Sequence, residues 1–323
     1  MAALVDPALH APELIDLRDL NARDLEPLLN EETRTWLDTL DWDFGKSADL
    51  VRRFLDLRAL SGSALWLAGR VIGYSYFVFE EHKGLIGDLY VCAEFRSAAW
   101  EQRLMTAVLD GLIATPHIRR IEGQLMMLSR GTARALPGAR FLTTYAREFM
   151  RLDLAHVPGL PGRPLRRISM ERWGEHHQEA AAHLIADAYR GHLDSGINDQ
   201  YRSVGGARRF LYNIVQYPGC GSFFRPASLA AFDLDTGGLC GLSLTSLVAH
   251  EVGHITQICV APHVRGTGLG YGMLRQSLQS LRDSGCRIAS LTVTSANREA
   301  VKLYRDVGFE TRRNFLAKVW EGF

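Results

Sequence analysis

The sequence predicts an α/β protein made of two tandem folds, each a mixed central sheet flanked by helices. Three observations carry that prediction. The chain has 323 residues, about twice the length of one ordinary domain. The stretch His156-Val-Pro-Gly-Leu-Pro-Gly-Arg-Pro164 cannot continue a helix or a central strand, and it cuts the chain into domains 1–155 and 164–323. A succession of hairpin, strand, turn and helix also recurs at an offset of 168–169 residues.

In the first half, Val71–Phe79 reads as a strand ending a hairpin whose turn holds Gly69. Its counterpart, Leu239–Leu247, follows Gly237 and Gly238 and keeps Gly73/Gly241 and Ser75/Ser243 in register. Ile86–Val91 then aligns without a gap on Ile255–Val260, and Arg96 falls on Arg265. The helices beginning near Trp100 and Leu269 match at Leu109/Leu278 and Leu112/Leu281. Elsewhere in the second half, 170–189 and 207–216 read as helices, 223–233 and 239–248 as a hairpin, and 254–260 as a strand. Leu269, Met273, Leu274, Leu278 and Leu281 form one apolar face of a helix that Gly285 stops. A short apolar strand 288–294, a helix 297–307 ended by Gly308 and a last strand 314–320 complete the half.

Hydrophobic residues make up 47% of the chain and charged residues 23%, the balance of a globular protein. A formal charge of +1 argues against a general nucleic-acid binder and against a polybasic membrane-surface protein. No apolar run is long enough to span a bilayer, and Met1–Leu9 lacks the features of a signal peptide. The five cysteines are scattered and show no CxxC spacing, so neither a zinc framework nor a disulfide framework is expected. The expected compartment is a reducing cytoplasm.

Arg265-Gly266-Thr267-Gly268-Leu269-Gly270 lies between an apolar strand and an amphipathic helix. Glycines there let successive N–H groups face inward, and the helix adds its N-terminal dipole, which suits a phosphate or pyrophosphate. A tight turn without a ligand is the other reading. A dinucleotide fingerprint needs glycine where Tyr271 stands, and a P-loop needs a Gly-Lys-Ser/Thr that is absent. His250-Glu251-Val252-Gly253-His254 is a literal H-E-x-x-H, but zinc binding by that motif requires a helix. Gly253 and the β-branched run after it read as a turn into a strand, so no metal is expected.

The loop resembles the acyl-CoA motif of the GCN5-related N-acetyltransferase family, Arg/Gln-x-x-Gly-x-Gly/Ala, met by Arg265, Gly268 and Gly270. Downstream, Asn297-Arg-Glu-Ala300-Val-Lys-Leu303-Tyr304-Arg-Asp-Val-Gly308-Phe309 is similar to the family's second signature. The resemblance covers about residues 165–323, and the first half more weakly. It implies a fold that binds acetyl-CoA as cosubstrate and acetylates a primary amine by direct attack.

Carried over residue by residue, it implies that amides from Arg265 through Gly266, Thr267, Gly268 and Leu269 to Gly270 cradle the CoA pyrophosphate. The strand ending in Ile258, Cys259 and Val260 would splay from strand 288–294 and pair with pantetheine, a bulge aiming an N–H near Ile258 at the thioester carbonyl. Tyr304 falls on the general acid and Asn297 on a contact to the pantetheine arm. His254, sharing a strand face with Thr256 and Ile258, is the expected base, with Glu251 and His250 in reserve.

The first half departs from the motif. At the loop positions it has Arg96-Ser-Ala-Ala-Trp100-Glu101, and Leu136 falls near the Tyr304 position, so an inactive copy is expected. Acceptor recognition is expected from the polar stretch 189–201, with Asp194 and Asp199 holding an ammonium and Tyr201 closing the pocket. The expected partner is a small-molecule or peptide amine, with no nucleic acid and no membrane. A non-catalytic acyl-CoA-binding or scaffolding protein is the alternative.

Overall fold

The computed structural model describes residues 11–128, 136–162, 165, 167–217 and 219–323. Met1–Leu9 and the Arg163–Pro164 end of the expected linker lie outside the described residues. The chain forms two compact units, one of residues 1–37, 44–144 and 315–323, the other of residues 38–43 and 145–314.

The first unit is built from β1 (Glu13–Asp16), α1 (Ala22–Leu40), α2 (Gly45–Asp56), β2 (Ser61–Leu67), β3 (Arg70–Glu80), β4 (Lys83–Val91), α3 (Ala98–Ile113) and β5 (Arg120–Gln124). The second unit follows with β6 (Leu142–Asp153), β7 (Ile168–Arg172), α4 (Gln178–Ala188), α5 (Asp194–Ile197), α6 (Val204–Gln216), β8 (Ser222–Phe223), β9 (Leu229–Asp233) and β10 (Leu239–Ala249). It continues through β11 (Val252–Val260), α7 (Leu269–Asp283), β12 (Ile288–Thr294) and α8 (Arg298–Val307), and the chain ends in β13 (Glu310–Glu321).

Strand order in the first unit is β1-β2-β3-β4-β5-β13, and only β4 and β5 run parallel. In the second it is β6-β12-β11-β10-β9-β7, with β8 also on β10 and only β11 and β12 parallel. The cut at 156–164 therefore does not coincide with the compact units. Residues 147–153 of β6 pair with β12 in the second unit, and residues 317–321 of β13 pair with β5 in the first. Strand pairing is chosen by tertiary contact, so a composition-based linker does not reveal which sheet its flanking strands join.

The repeat reappears in detail. Pairing of β3 with β4 skips Gly87, and pairing of β10 with β11 skips Thr256, which places a β-bulge at equivalent positions. Beyond each bulge the parallel partner drops away: β4 leaves β5 after Ile86, and β11 leaves β12 after Ile255.

Three sequence-based boundaries shift. Residues 168–172 are a strand registered on β9, so the expected helix over 170–189 begins only at Gln178. The expected strand over 223–233 is broken by a 3₁₀ turn at Arg225–Ala227, where Pro226 interrupts the ladder. The final strand starts at Glu310 rather than at residue 314.

In the second unit, Leu274, Leu278 and Leu281 of α7 and Val301, Tyr304 and Val307 of α8 pack with Ile255, Ala289, Leu291 and Val293 on one sheet face. Apolar residues of α4 and α6, among them Ala181, Ile185 and Leu211, form a second core with Leu242 and Leu244. Helix α7 sits close to the sheet because Gly253 lacks a side chain: a Cβ there would lie 2.5 Å from Leu281 Cδ1.

Candidate active site

Past the bulge at Thr256, the last residues of β11 diverge from β12 and open a cleft of about 430 Å³. Ile258, Cys259 and Val260 line one side, and Arg265, Gly266, Gly268, Leu269 and Gly270 form its mouth. Asn297 and Tyr304 of the α8 segment line the other side. The sequence motifs are thus brought together at one opening.

Gly266 and Gly268 have φ of +75° and +90°, and a Cβ at either would meet nothing within 4 Å. Backbone conformation, not space, calls for glycine at both. Among the described residues, the N–H groups of Gly266, Gly268, Leu269 and Gly270 have no backbone acceptor, and the first bond of α7 runs from Gly272 N–H to Gly268 C=O. Four amides at a helix N-terminus are thereby left for an anion. Arg265 does not point outward: its Nη2 donates to the Ala188 carbonyl at 2.6 Å and ties the loop to the end of α4. Thr267 turns its hydroxyl back to the Val264 carbonyl at 2.8 Å and is absent from the cleft lining.

Tyr304 is buried, 7% exposed, and its ring lies edge-on to Phe309. Its hydroxyl has no hydrogen bond among the described residues. Burial, and then the charge of Asp194, raise its pKa above the usual phenol value, so it stays protonated at neutral pH. Asn297 caps α8 by accepting from Ala300 N–H at 3.3 Å, and its Nδ2 lies 3.4 Å from Nε2 of His192. The Cys259 thiol is pushed up to about 12 by burial and stays neutral.

His254 is placed differently from the expectation. It does not line the cleft; Trp42 lies edge-on at 5.0 Å, Phe149 stacks at 6.1 Å, and Nδ1 lies 2.9 Å from Ser290 Oγ. Burial, reinforced by the charge of Arg147, lowers its pKa to about 3. A histidine so walled in is neutral and a poor proton acceptor. The pentapeptide around it spans the β10–β11 turn, with Glu251 at φ +59° and the His250 side chain 93% exposed, so the two histidines lack the helical spacing zinc requires.

On the acceptor stretch, Asp194 accepts from Thr294 Oγ1 at 2.5 Å and its side chain keeps 18% exposure. Tyr201 stacks on Tyr189 at 4.3 Å, and both hydroxyls bond the buried Gln257, Tyr201 donating at 3.3 Å. Asp199 opens a 3₁₀ turn, and none of Asp194, Asp199 and Tyr201 lines the cleft. Sequence reasoning missed Arg147, on β6 opposite Thr294. Its Nε is buried without a hydrogen-bond partner. Nothing in local sequence marks it, because the strand that carries it was assigned to the other half.

Among the described residues, Glu171, His176 and His177 are the one group close enough to share a metal. His177 Nδ1 accepts from Gly174 N–H at 3.0 Å, which leaves the proton on Nε2, donated to Glu171 at 2.6 Å. That nitrogen has no lone pair for an ion.

Residues 195–309 match the family model described as "Acetyltransferase (GNAT) family". The chain is 34% identical over 87 residues to a mycothiol acetyltransferase of Thermomonospora curvata, spanning 27% of this chain and only 29% of that relative. It is 29% identical over 260 residues to a mycothiol acetyltransferase of Thermobispora bispora, spanning 76% of this chain and 78% of the relative. In fold it is similar to a GCN5-related N-acetyltransferase of Sphaerobacter thermophilus, with TM-score 0.62, 16% identity and 95% of both chains covered. A tandem GNAT protein from the clavulanic acid biosynthesis pathway superposes with TM-score 0.58 and 16% identity over 97% of this chain and 99% of that one.

Proposed function

Because the chain belongs to the GCN5-related N-acetyltransferase family, we propose that its second unit transfers an acetyl group from acetyl-CoA to a primary amine by direct attack. The observation that carries this reading is the parting of β11 from β12 after Ile255, with free amides at the mouth of the gap and Tyr304 among the residues that line it.

Acetyl-CoA supplies the activated acyl carbon and the thiolate leaving group. The amides of Gly266, Gly268, Leu269 and Gly270 hold the pyrophosphate, and the diverging edge of Ile258–Val260 takes the pantetheine arm. Asp194 holds the incoming ammonium and passes its proton to water, since its carboxylate keeps contact with solvent. The C–N bond forms as the C–S bond breaks, and Tyr304 gives its proton to the departing sulfur. The second proton shed by the nitrogen restores the phenol through water, and the third stays as the amide N–H. His254 has no part in this path and orients β12 through Ser290.

The first unit supports binding poorly. Helix α3 starts at Ala98, two positions earlier than α7 does in the aligned motif, and Ser97 Oγ accepts the Trp100 N–H at 3.4 Å. No described residue of that turn has a positive φ. Glu101, at the aligned position of Gly270, is 2% exposed.

Calorimetric titration with acetyl-CoA should find one site per chain, and free CoA should appear with a suitable amine. Two sites would overturn the reading of the first unit. Binding without turnover over a broad amine panel would favour an acyl-CoA-binding scaffold.

A further inference from the structure

Strand β6 presents Arg147, Phe149 and Arg151 to one face of the sheet, opposite Thr294, Thr292 and Ser290 of β12. The two arginines are treated differently. Arg151 Nε donates to Asp41 Oδ2 at 2.8 Å and is neutralised. Arg147 forms no ion pair and no side-chain hydrogen bond among the described residues, and its Nε is buried without any partner. Arg147 as a residue is only half-buried, and a charged side chain with one donor unmade inside the fold suits an anionic ligand on the rest of its guanidinium.

The surroundings of Arg147 are the acceptor side of the proposed site. Thr294, directly opposite on β12, donates to Asp194. Tyr304 and Tyr201 both feel the charge of Arg147 and that of Asp194. This face is the one turned away from α7 and α8, whose side chains pack on Ala289, Leu291 and Val293. One carboxylate and one unpaired guanidinium are thus each set against Thr294 on this face.

We propose that the acceptor is an amine bearing a carboxylate, an amino-acid-like zwitterion, with its ammonium on Asp194 and its carboxylate on the guanidinium of Arg147. The proposal rests on the transferase reading above for the word acceptor, but the anion site stands on geometry of its own. A planar guanidinium matches a carboxylate with two parallel bonds. A single fixed cation also balances a monoanion, whereas a phosphate dianion would keep an uncompensated charge beside Asp194.

The test is calorimetry on the CoA-loaded full chain, titrated with the twenty N-acetyl-amino acids and with N-acetylamines of the same side chains that lack the carboxylate. At least one N-acetyl-amino acid should bind, and more tightly than its decarboxylated partner by roughly 30-fold or more, the loss expected for an unmade charge-assisted pair. Arg147→Gln should abolish that difference, and Arg147→Lys should restore part of it, while both variants bind acetyl-CoA as the parent does. That unchanged affinity also reports that the variants fold. The proposal is overturned if no N-acetyl-amino acid binds, if both members of each pair bind alike, or if Arg147→Gln leaves the preference intact. Tighter binding of N-acetylphosphoethanolamine than of any carboxylate would overturn it in favour of a phosphate. Carboxylate-dependent binding without turnover of the corresponding amino acid would sink the transferase reading and leave the anion site standing.

Discussion

Two residues on opposite sides of the splayed strands show how burial sets a role. Tyr304 is buried with a free hydroxyl and an elevated pKa, so it holds the proton that the proposed reaction gives to the departing thiolate. Tyr304→Phe should lower kcat by about 10²-fold or more while leaving acetyl-CoA affinity unchanged, measured by CoA release and calorimetry. His254, by contrast, is neutral in the fold, with a pKa near 3 against 6.5 when unfolded. Between those values the unfolded chain binds a proton that the native chain refuses, so this contribution to stability is complete above about pH 6.5 and is lost as pH falls toward 3. His254→Gln should flatten the denaturation midpoint over that window and retain most of kcat. A pH–rate step that vanishes with His254 would show instead that it moves protons.

At the scale of elements, the strand–loop–helix unit makes the proposed anion site. The loop between β11 and α7 has two left-handed residues, and an L side chain in that conformation costs about 1–2 kcal/mol. Gly268→Ala should therefore lower the melting temperature slightly and weaken acetyl-CoA binding by roughly tenfold or more as the amides rotate out of line. An unchanged dissociation constant would remove the loop from the binding site. In the first unit the corresponding bulge and splay survive, but a serine-capped turn replaces the loop. The space behind that splay holds a buried acid pair. Glu32 is wholly buried, accepting from Tyr74 at 2.8 Å and Trp36 at 3.3 Å, and it shares a hydrogen bond with Asp88. Burial raises Asp88 to about 6, and burial together with Asp88 raises Glu32.

For the molecule as a whole, that acid pair and the strand exchange each bear on stability. Because both carboxyls are raised, their protonated forms favour the fold; the stabilisation is complete below about pH 4, and the share from Asp88 is lost as pH rises through about 6. Glu32→Gln should raise the melting temperature at pH 8 and change it little at pH 4, and an equal shift at both would separate the pair from the pH response. Strand exchange predicts that residues 164–323 alone do not fold. They lack β6, whose register with β12 runs from Asp153↔Ile288 to Arg147↔Thr294, and they carry a β13 whose partner β5 is missing. Circular dichroism of that fragment should show little ordered sheet, and a cooperative unfolding transition would contradict the expectation.

The sequence by itself determined the elements with strong local signals. The apolar face of α7, strand β12 from Ile288 to Thr294, the stop at Gly308 and the loop from Arg265 to Gly270 were all legible, because periodicity and glycine conformation are written within a few residues. The duplicated order of strands was legible for the same reason. Only the tertiary structure decided which sheet β6 and β13 join, that His254 is walled in by Trp42 and Phe149, and that Asp194 meets Thr294 across a hundred residues. Arg147 is the clearest case, since its meaning lies in the absence of a partner. Burial and pairing are sums over contacts from distant parts of the chain, and no local pattern of residues encodes that sum.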